Sequence, residues 1–293
     1  MANVKEYKMF QGCTIGNRIP FIEASARKVF KILGINTSEA PFACCPDPVG
    51  FNSVDHTSWL AMGARNLTIA EEENKDIVSL CNGCFQTLKA INHELNTHED
   101  KKKEINVYLK SINRHFKGII NVKHFVELLH EIEPDIIIEN IKIDLSGIKV
   151  ACHTGCHYNR PSEIMQTDDP MNPKKLKDIV RLTGATTIDY DEEMLCCGSG
   201  VGNIEEEPSM RILKNKFDGA IRAGAEAIIV ICPSCFQQMD TNQRTLSKLF
   251  SETYDIPILY LTELLALAFG ISSDDIGMKF HRTKVAKFLE KID

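Results

Sequence analysis

The sequence predicts an α/β protein made of two duplicated, pseudo-symmetric domains, each with a parallel sheet whose strands carry cysteines at their carboxyl ends. Three observations lead there. Apolar runs of strand length alternate with helix-period segments, the cysteines follow one pattern twice, and the residues around them repeat as well. Strands alternating with helices are the mark of βαβ units and parallel sheets.

In chain order, residues 7–10 form a strand-length apolar run, followed by helix-period segments over 21–33 and 58–74. A second run at 77–80 leads into a long helical segment over 85–109, which the lysines Lys101, Lys102 and Lys103 are expected to end on a solvated face. The second half repeats the scheme. Strand runs at 148–151 and 227–231 accompany helical segments at 173–182, 208–223 and 236–250. The acidic stretch 189–193 is expected to be solvated. The most hydrophobic segment, 256–269, is interrupted by Glu263 and is too short to span ~30 Å of hydrocarbon. It reads as a buried strand followed by a core helix. Domains are therefore expected over 1–145 and 146–293, in keeping with about 150 residues per domain.

Composition narrows the class. With 43% hydrophobic and 25% charged residues the chain can bury a real core, which excludes disorder. A net charge of −6 supplies no global field for nucleic acid or anionic membrane. Glu6 and Lys8 interrupt the start before a signal-like apolar stretch can form, so a cytoplasmic location is expected. In a reducing compartment, 11 cysteines beside one tryptophan point to metal binding or catalysis rather than to disulfides.

The cysteines lie at 13, 44, 45, 81 and 84, and again at 152, 156, 196, 197, 232 and 235. Each half has an adjacent pair followed, after 35 or 34 residues, by C-x2-C. The apolar run, the C-x2-C and a following Phe-Gln are shared by 77–86 and 229–237, and Glu127-Leu128-Leu129 matches Glu263-Leu264-Leu265. A period this long is too great for a solenoid and fits two related domains.

Zinc wants four ligands, commonly from two C-x2-C pairs. Here one pair per half is directly adjacent, and neighbouring side chains in extended chain point to opposite sides, which suits two metals of one larger cluster better than one small ion. A thioredoxin-like dithiol would not need the additional cysteines in register. Soft thiolates in this number favour an iron–sulfur cluster in each half, although the spacing is not that of ordinary ferredoxins. Ligands so far apart in sequence also imply that folding and cluster binding are linked.

The patterns C-x30-CC-x35-C-x2-C and C-x39-CC-x34-C-x2-C resemble the duplicated cysteine-rich (CCG) domains of the B subunit of heterodisulfide reductase from methanogenic archaea, over nearly the whole chain. The same domain occurs in some fumarate and succinate dehydrogenase subunits. The resemblance implies two noncubane [4Fe-4S] clusters, one on Cys13, Cys44, Cys45, Cys81 and Cys84, the other on Cys156, Cys196, Cys197, Cys232 and Cys235. Pro46 replaces the glycine of the first CCG triplet. Cys152 and Cys156 both offer themselves as the second half's first ligand, and Cys156 is preferred because its gap is nearer the family's spacing. The implied activity is reduction of the coenzyme M–coenzyme B heterodisulfide to two thiols in methanogenesis, one cluster serving each sulfur. Cys45, Cys197 and His153 are then the catalytic candidates.

No flavin is expected in this chain. Implied partners are the reductase's flavin-containing A subunit, its ferredoxin-like C subunit that delivers electrons, and hydrogenase or formate dehydrogenase in a wider complex. The alternative is an electron-relay or quinone-facing component of a succinate/fumarate-type dehydrogenase. His153 and His157, flanking Cys156, are candidate proton donors. Arg18 and Arg160, a few residues after the first ligands, are candidate substrate-binding cations. The glycine-rich run from Gly198 to Gly202 permits close backbone approach to a cluster or anion but lacks a dinucleotide fingerprint.

Overall fold

The computed structural model describes residues 5–202 and 204–292 and contains two four-stranded, wholly parallel sheets. Strands β1 (Glu6–Phe10), β2 (Asn36–Ser38), β3 (Ile77–Ser79) and β4 (Val122–His124) form the first, in the order β2-β1-β3-β4. Strands β5 (Lys149–His153), β6 (Thr186–Ile188), β7 (Ala227–Val230) and β8 (Ile258–Tyr260) form the second, in the same order, β6-β5-β7-β8. The duplication read from the cysteines is thus a duplication of topology.

Every residue of β3, β7 and β8 is buried, because helices cover both faces of a parallel sheet and leave no solvated side. The edge strands β2 and β6 are only three residues long, lack a fully buried face and carry no sustained apolar run, so the hydrophobic pattern does not announce them. In each sheet the strand order reverses between the first and third strands. Connections leave there on opposite faces, opening a crevice at the carboxyl edge. The cysteines lie along that edge.

Three expectations need correction. The segment 85–109 is two helices, Asn82–Thr97 and Glu99–Lys110, broken at His98 (φ −123°, ψ 93°). The hydroxyl of Thr97 and the ring of His98 turn back to the Glu94 carbonyl, competing with the helix's own bonding. The lysine run therefore opens the second helix rather than ending the first. Likewise 236–250 divides at Asn242 into Pro233–Thr241 and Gln243–Phe250. Finally, the acidic stretch is not wholly solvated: Glu193 is turned inward, 2.7 Å from the largely buried Lys177 ammonium.

The halves interlock. Helix Leu261–Ala268, which follows β8, is buried along its whole length. It packs on Phe21–Ile32 of the other half, where Thr262 and Ser25 share a hydroxyl hydrogen bond of 2.7 Å. The buried apolar residues form one continuous core across both sheets. Among the described residues, no helix is long and apolar enough to cross a membrane.

Candidate metal centres

Each half builds its cysteine set with the same three devices. After the first strand comes a left-handed glycine, Gly12 (φ +75°) or Gly155 (φ +78°), and then Cys13 or Cys156 at the first position of a short helix. A Cβ at Gly12 would lie 2.8 Å from Cys84 Sγ, and one at Gly155 3.5 Å from Cys235 Sγ. Glycine is needed both for its φ and for the approach of this turn to the thiols.

After the third strand, Cys81 and Cys232 cap helices Asn82–Thr97 and Pro233–Thr241, with Cys84 and Cys235 in their first turns. These thiols sit at the positive ends of helix dipoles, yet hydrogen bonds to neighbouring thiols, with burial, push Cys84 and Cys235 up. The adjacent pairs occupy loops after β2 and β6. In the first half, Asn66 grips the backbone of this loop: its Oδ1 accepts from Ala43 N at 2.9 Å, and its Nδ2 donates to the carbonyls of Ala43 and Cys44. In the second half the Lys216 ammonium donates to the carbonyls of Glu192 (2.8 Å) and Glu193 (3.0 Å).

All eleven cysteines are free thiols. Within the first set, Cys45 Sγ lies 2.7 Å from Cys84 Sγ, and the Cys44 thiol donates to the Cys45 carbonyl at 3.1 Å. In the second, Cys156 meets Cys196, and Cys235 meets Cys197 and Cys232. Cys81 reaches across to Cys232, so the two sets touch at the boundary between the halves. Six of the ten candidate ligands are buried, while Cys13, Cys44 and Cys196 remain exposed and leave each set an open side.

Hydrogen bonding with Cys44 and Cys84 draws Cys45 down to about 6. Bonds from Cys156 and Cys197 draw Cys196 well down, and those from Cys232 and Cys84 do the same to Cys81. The donors Cys44, Cys84 and Cys156 are pushed up correspondingly. Each set is a crowd of soft donors sharing protons that a bound metal displaces.

The remaining predicted residues fall as follows. His153 is buried, with Nε2 3.2 Å from Cys235 Sγ and Nδ1 without a partner. It groups with Cys197 and Cys235. Burial holds its ring well below the usual histidine range. Cys152, one residue earlier on β5, has the opposite orientation along the strand and is pushed up by burial, with the Glu193 carboxylate adding to the effect. The structure brings Cys156, not Cys152, to Cys196. His157 bonds to Gln86.

Arg18 lines a cavity of about 800 Å³ together with Cys13, Ser199, Gly202, Ser234 and Gln237, that is, with residues of both halves. It also borders a second cavity, of about 610 Å³, that contains Lys279 and Arg282. Arg160 lines a small recess with Cys156 and His153.

Asn66, Lys216 and Tyr260 were not foreseen from the sequence. The Tyr260 hydroxyl bonds the carbonyls of Leu80 and Ile231, the residues just before Cys81 and Cys232, and so ties the two C-x2-C turns together. Its place before the repeated Glu-Leu-Leu was a usable signal. Asn66 and Lys216 gave none, since polar residues within amphipathic helices read as solvated.

A family model described as a cysteine-rich domain, CCG, matches the chain twice, over residues 7–89 and 150–240. The chain is 35% identical to the B subunit of ferredoxin:CoB-CoM heterodisulfide reductase of Methanosarcina mazei, over 99% of this chain and 97% of that protein. It is 27% identical to the 8-methylmenaquinol:fumarate reductase membrane anchor subunit of Wolinella succinogenes, covering 94% of this chain and 95% of the relative. A solved structure of a hypothetical protein from Helicobacter pylori shares the fold at a TM-score of 0.78 and 15% identity, over 96% of this chain and 52% of that one. The doubled cysteine pattern, the doubled topology and these matches together place the chain in the cysteine-rich CCG-domain family, among the relatives of the heterodisulfide reductase B subunit.

Proposed function

We propose that this chain is the catalytic subunit of a heterodisulfide reductase, cleaving the disulfide of coenzyme M and coenzyme B to two thiols with two electrons and two protons, as a step of methanogenesis. The observation that carries this reading is the pair of five-thiol sets meeting at Cys81 and Cys232, in a chain 35% identical over its whole length to a relative of that name. The sets fit iron–sulfur clusters: their donors are soft, free and crowded, and the positive-φ turns at Gly12 and Gly155 bring bare backbone up beside them, with no room for a side chain against Cys84 at Gly12. Cys13, Cys44, Cys45, Cys81 and Cys84 would hold one noncubane [4Fe-4S] cluster, and Cys156, Cys196, Cys197, Cys232 and Cys235 the other. When bound, each cluster supplies one electron, so two are matched to one disulfide.

The protein's own contribution is position and charge. The cavity beside Cys13 draws its walls from both halves, and Arg18 gives it a cation suited to an anionic substrate group. Arg160 stands in the equivalent part of the second half, beside Cys156. His153, in contact with Cys235, is neutral because it is buried; its Nδ1 and Nε2 can hold or pass a proton only one at a time. Electrons arrive from partners, the ferredoxin-like C subunit and the flavin-containing A subunit, with hydrogenase or formate dehydrogenase further out.

The full chain, reconstituted anaerobically with iron and sulfide and given an artificial electron donor, is expected to release two thiols per heterodisulfide. Full activity after Cys45→Ser and Cys197→Ser together would overturn the proposal. The Wolinella relative favours a second reading, an electron relay. Such a chain would load clusters and take up electrons in the same assay, yet leave the disulfide intact.

A further inference from the structure

At one pair of corresponding buried positions the two halves carry an amide and an ammonium, Asn66 and Lys216. Helix His56–Glu71 of the first half and helix Glu206–Arg222 of the second end in the same turn, in which Lys75 N bonds Ala70 O and Ala225 N bonds Ala220 O. Asn66 and Lys216 each lie one helical turn before that alanine, and both are fully buried. Both do the same mechanical task, gripping carbonyls of the loop that carries the adjacent cysteines. One is a neutral amide and the other an ammonium.

The surroundings sharpen the contrast. Besides its neighbouring thiols, the charge that acts on Cys44 is the Asp47 carboxylate. The charges that act on Lys216 are Cys235, Cys197, Glu193 and Cys196, three of them members of the second set. Burial pulls the Lys216 ammonium down to about 8, opposed by its surroundings, and its three polar contacts, the carbonyls of Glu192 and Glu193 and the Tyr190 hydroxyl, all offer acceptors to an ammonium donor. The Glu193 carboxylate is itself engaged by Lys177 at 2.7 Å, which leaves Lys216 on backbone carbonyls and, at 3.4 Å, the Tyr190 hydroxyl.

A buried cation stabilises an added electron nearby, and net charge is one of the levers that set iron–sulfur potentials. We propose that Lys216 is a positioning residue that makes the two centres electrically unequal, holding the second at a higher reduction potential than the first, so that an electron shared between them rests on the second. This inference depends on the clusters assigned above.

The test is a redox titration followed by electron paramagnetic resonance on the full-length reconstituted chain. A Cys44→Ser/Cys45→Ser variant keeps only the second centre, and a Cys196→Ser/Cys197→Ser variant only the first. The second is expected to titrate higher by about tenfold in its one-electron equilibrium, which is about 59 mV. In the second-centre background, Lys216→Met should abolish most of that advantage and Lys216→Arg should keep it. Asn66→Lys in the first-centre background should raise the first by a similar factor. A second centre titrating at or below the first would overturn the inference even if Lys216→Met fails to load iron, and so would a loaded Lys216→Met chain of unchanged potential. A wild-type chain that binds no iron would instead overturn the proposed function, and this inference with it.

Discussion

Tyr260 Oη lies 2.7 Å from the Ile231 carbonyl and also bonds that of Leu80, so one hydroxyl anchors both C-x2-C turns from a fully buried position. Tyr260→Phe would keep the ring's stacking on Phe125 but leave the two carbonyls without this donor. An unmet buried polar group costs about 1–3 kcal/mol. We expect a lower melting temperature and faster loss of iron from both sets, both measurable on the purified anaerobic chain. His124, at the corresponding end of β4, is buried among Phe85, Phe125 and Tyr158, and burial pushes its ring down to about 3. The unfolded chain takes up a proton below about 6.5 that the folded chain refuses until about 3, so stability falls with pH across that window, by about 1.4 kcal/mol per unit. Urea unfolding between pH 6.5 and 5 should show a slope to which the buried His153 adds, and His124→Gln should reduce it by about the His124 share. At this scale the two cysteine sets were legible, because adjacent cysteines and C-x2-C repeated at matched distances stand out in any context. The burial of His153 was not, since a histidine beside a cysteine looks the same in sequence whether its ring faces water or sulfur.

Among the elements, the turn that follows the first strand of each sheet sets the most demanding geometry. Gly12→Ala would combine a strained positive φ with a Cβ 2.8 Å from Cys84 Sγ. Loss of about half the bound iron is expected, with the second set retained, and iron analysis of the variant checks it. Gly155→Ala should do the reverse but more mildly at sulfur, because its Cβ would stand 3.5 Å from Cys235 Sγ and press first on Asn82 Nδ2. The strands β1, β3, β5 and β7 could be read from their apolar runs, and the strand–helix unit at 256–269 from its continuous hydrophobicity. The edge strands β2 and β6 could not, as three half-exposed residues each carry no periodicity. The breaks at His98 and Asn242 were also hidden. At each break a side chain turns back to a helix carbonyl, the His98 ring to that of Glu94 and the Thr241 hydroxyl to that of Gln237, and helix propensity alone carries no trace of this.

Across the whole molecule, duplication places two five-thiol sets on the carboxyl edges of two sheets and brings them together at Cys81 and Cys232. The cavity near Cys13 takes its walls from both halves, so substrate affinity should depend on residues of each. Arg18→Leu is expected to raise KM for the heterodisulfide several-fold with a smaller change in kcat, measured by steady-state kinetics of the reconstituted chain. This joining of the halves was visible in the sequence only as a matched pair of patterns. How the pair meets is decided by the packing of Leu261–Ala268 on Phe21–Ile32, a contact between segments more than two hundred residues apart. The most direct check is to quantify iron, acid-labile sulfide and zinc in the anaerobically purified chain. About eight irons with matching sulfide and negligible zinc are expected, as two four-iron clusters require. One or two zinc ions in place of iron, or cystines linking the same ten residues, would contradict the account.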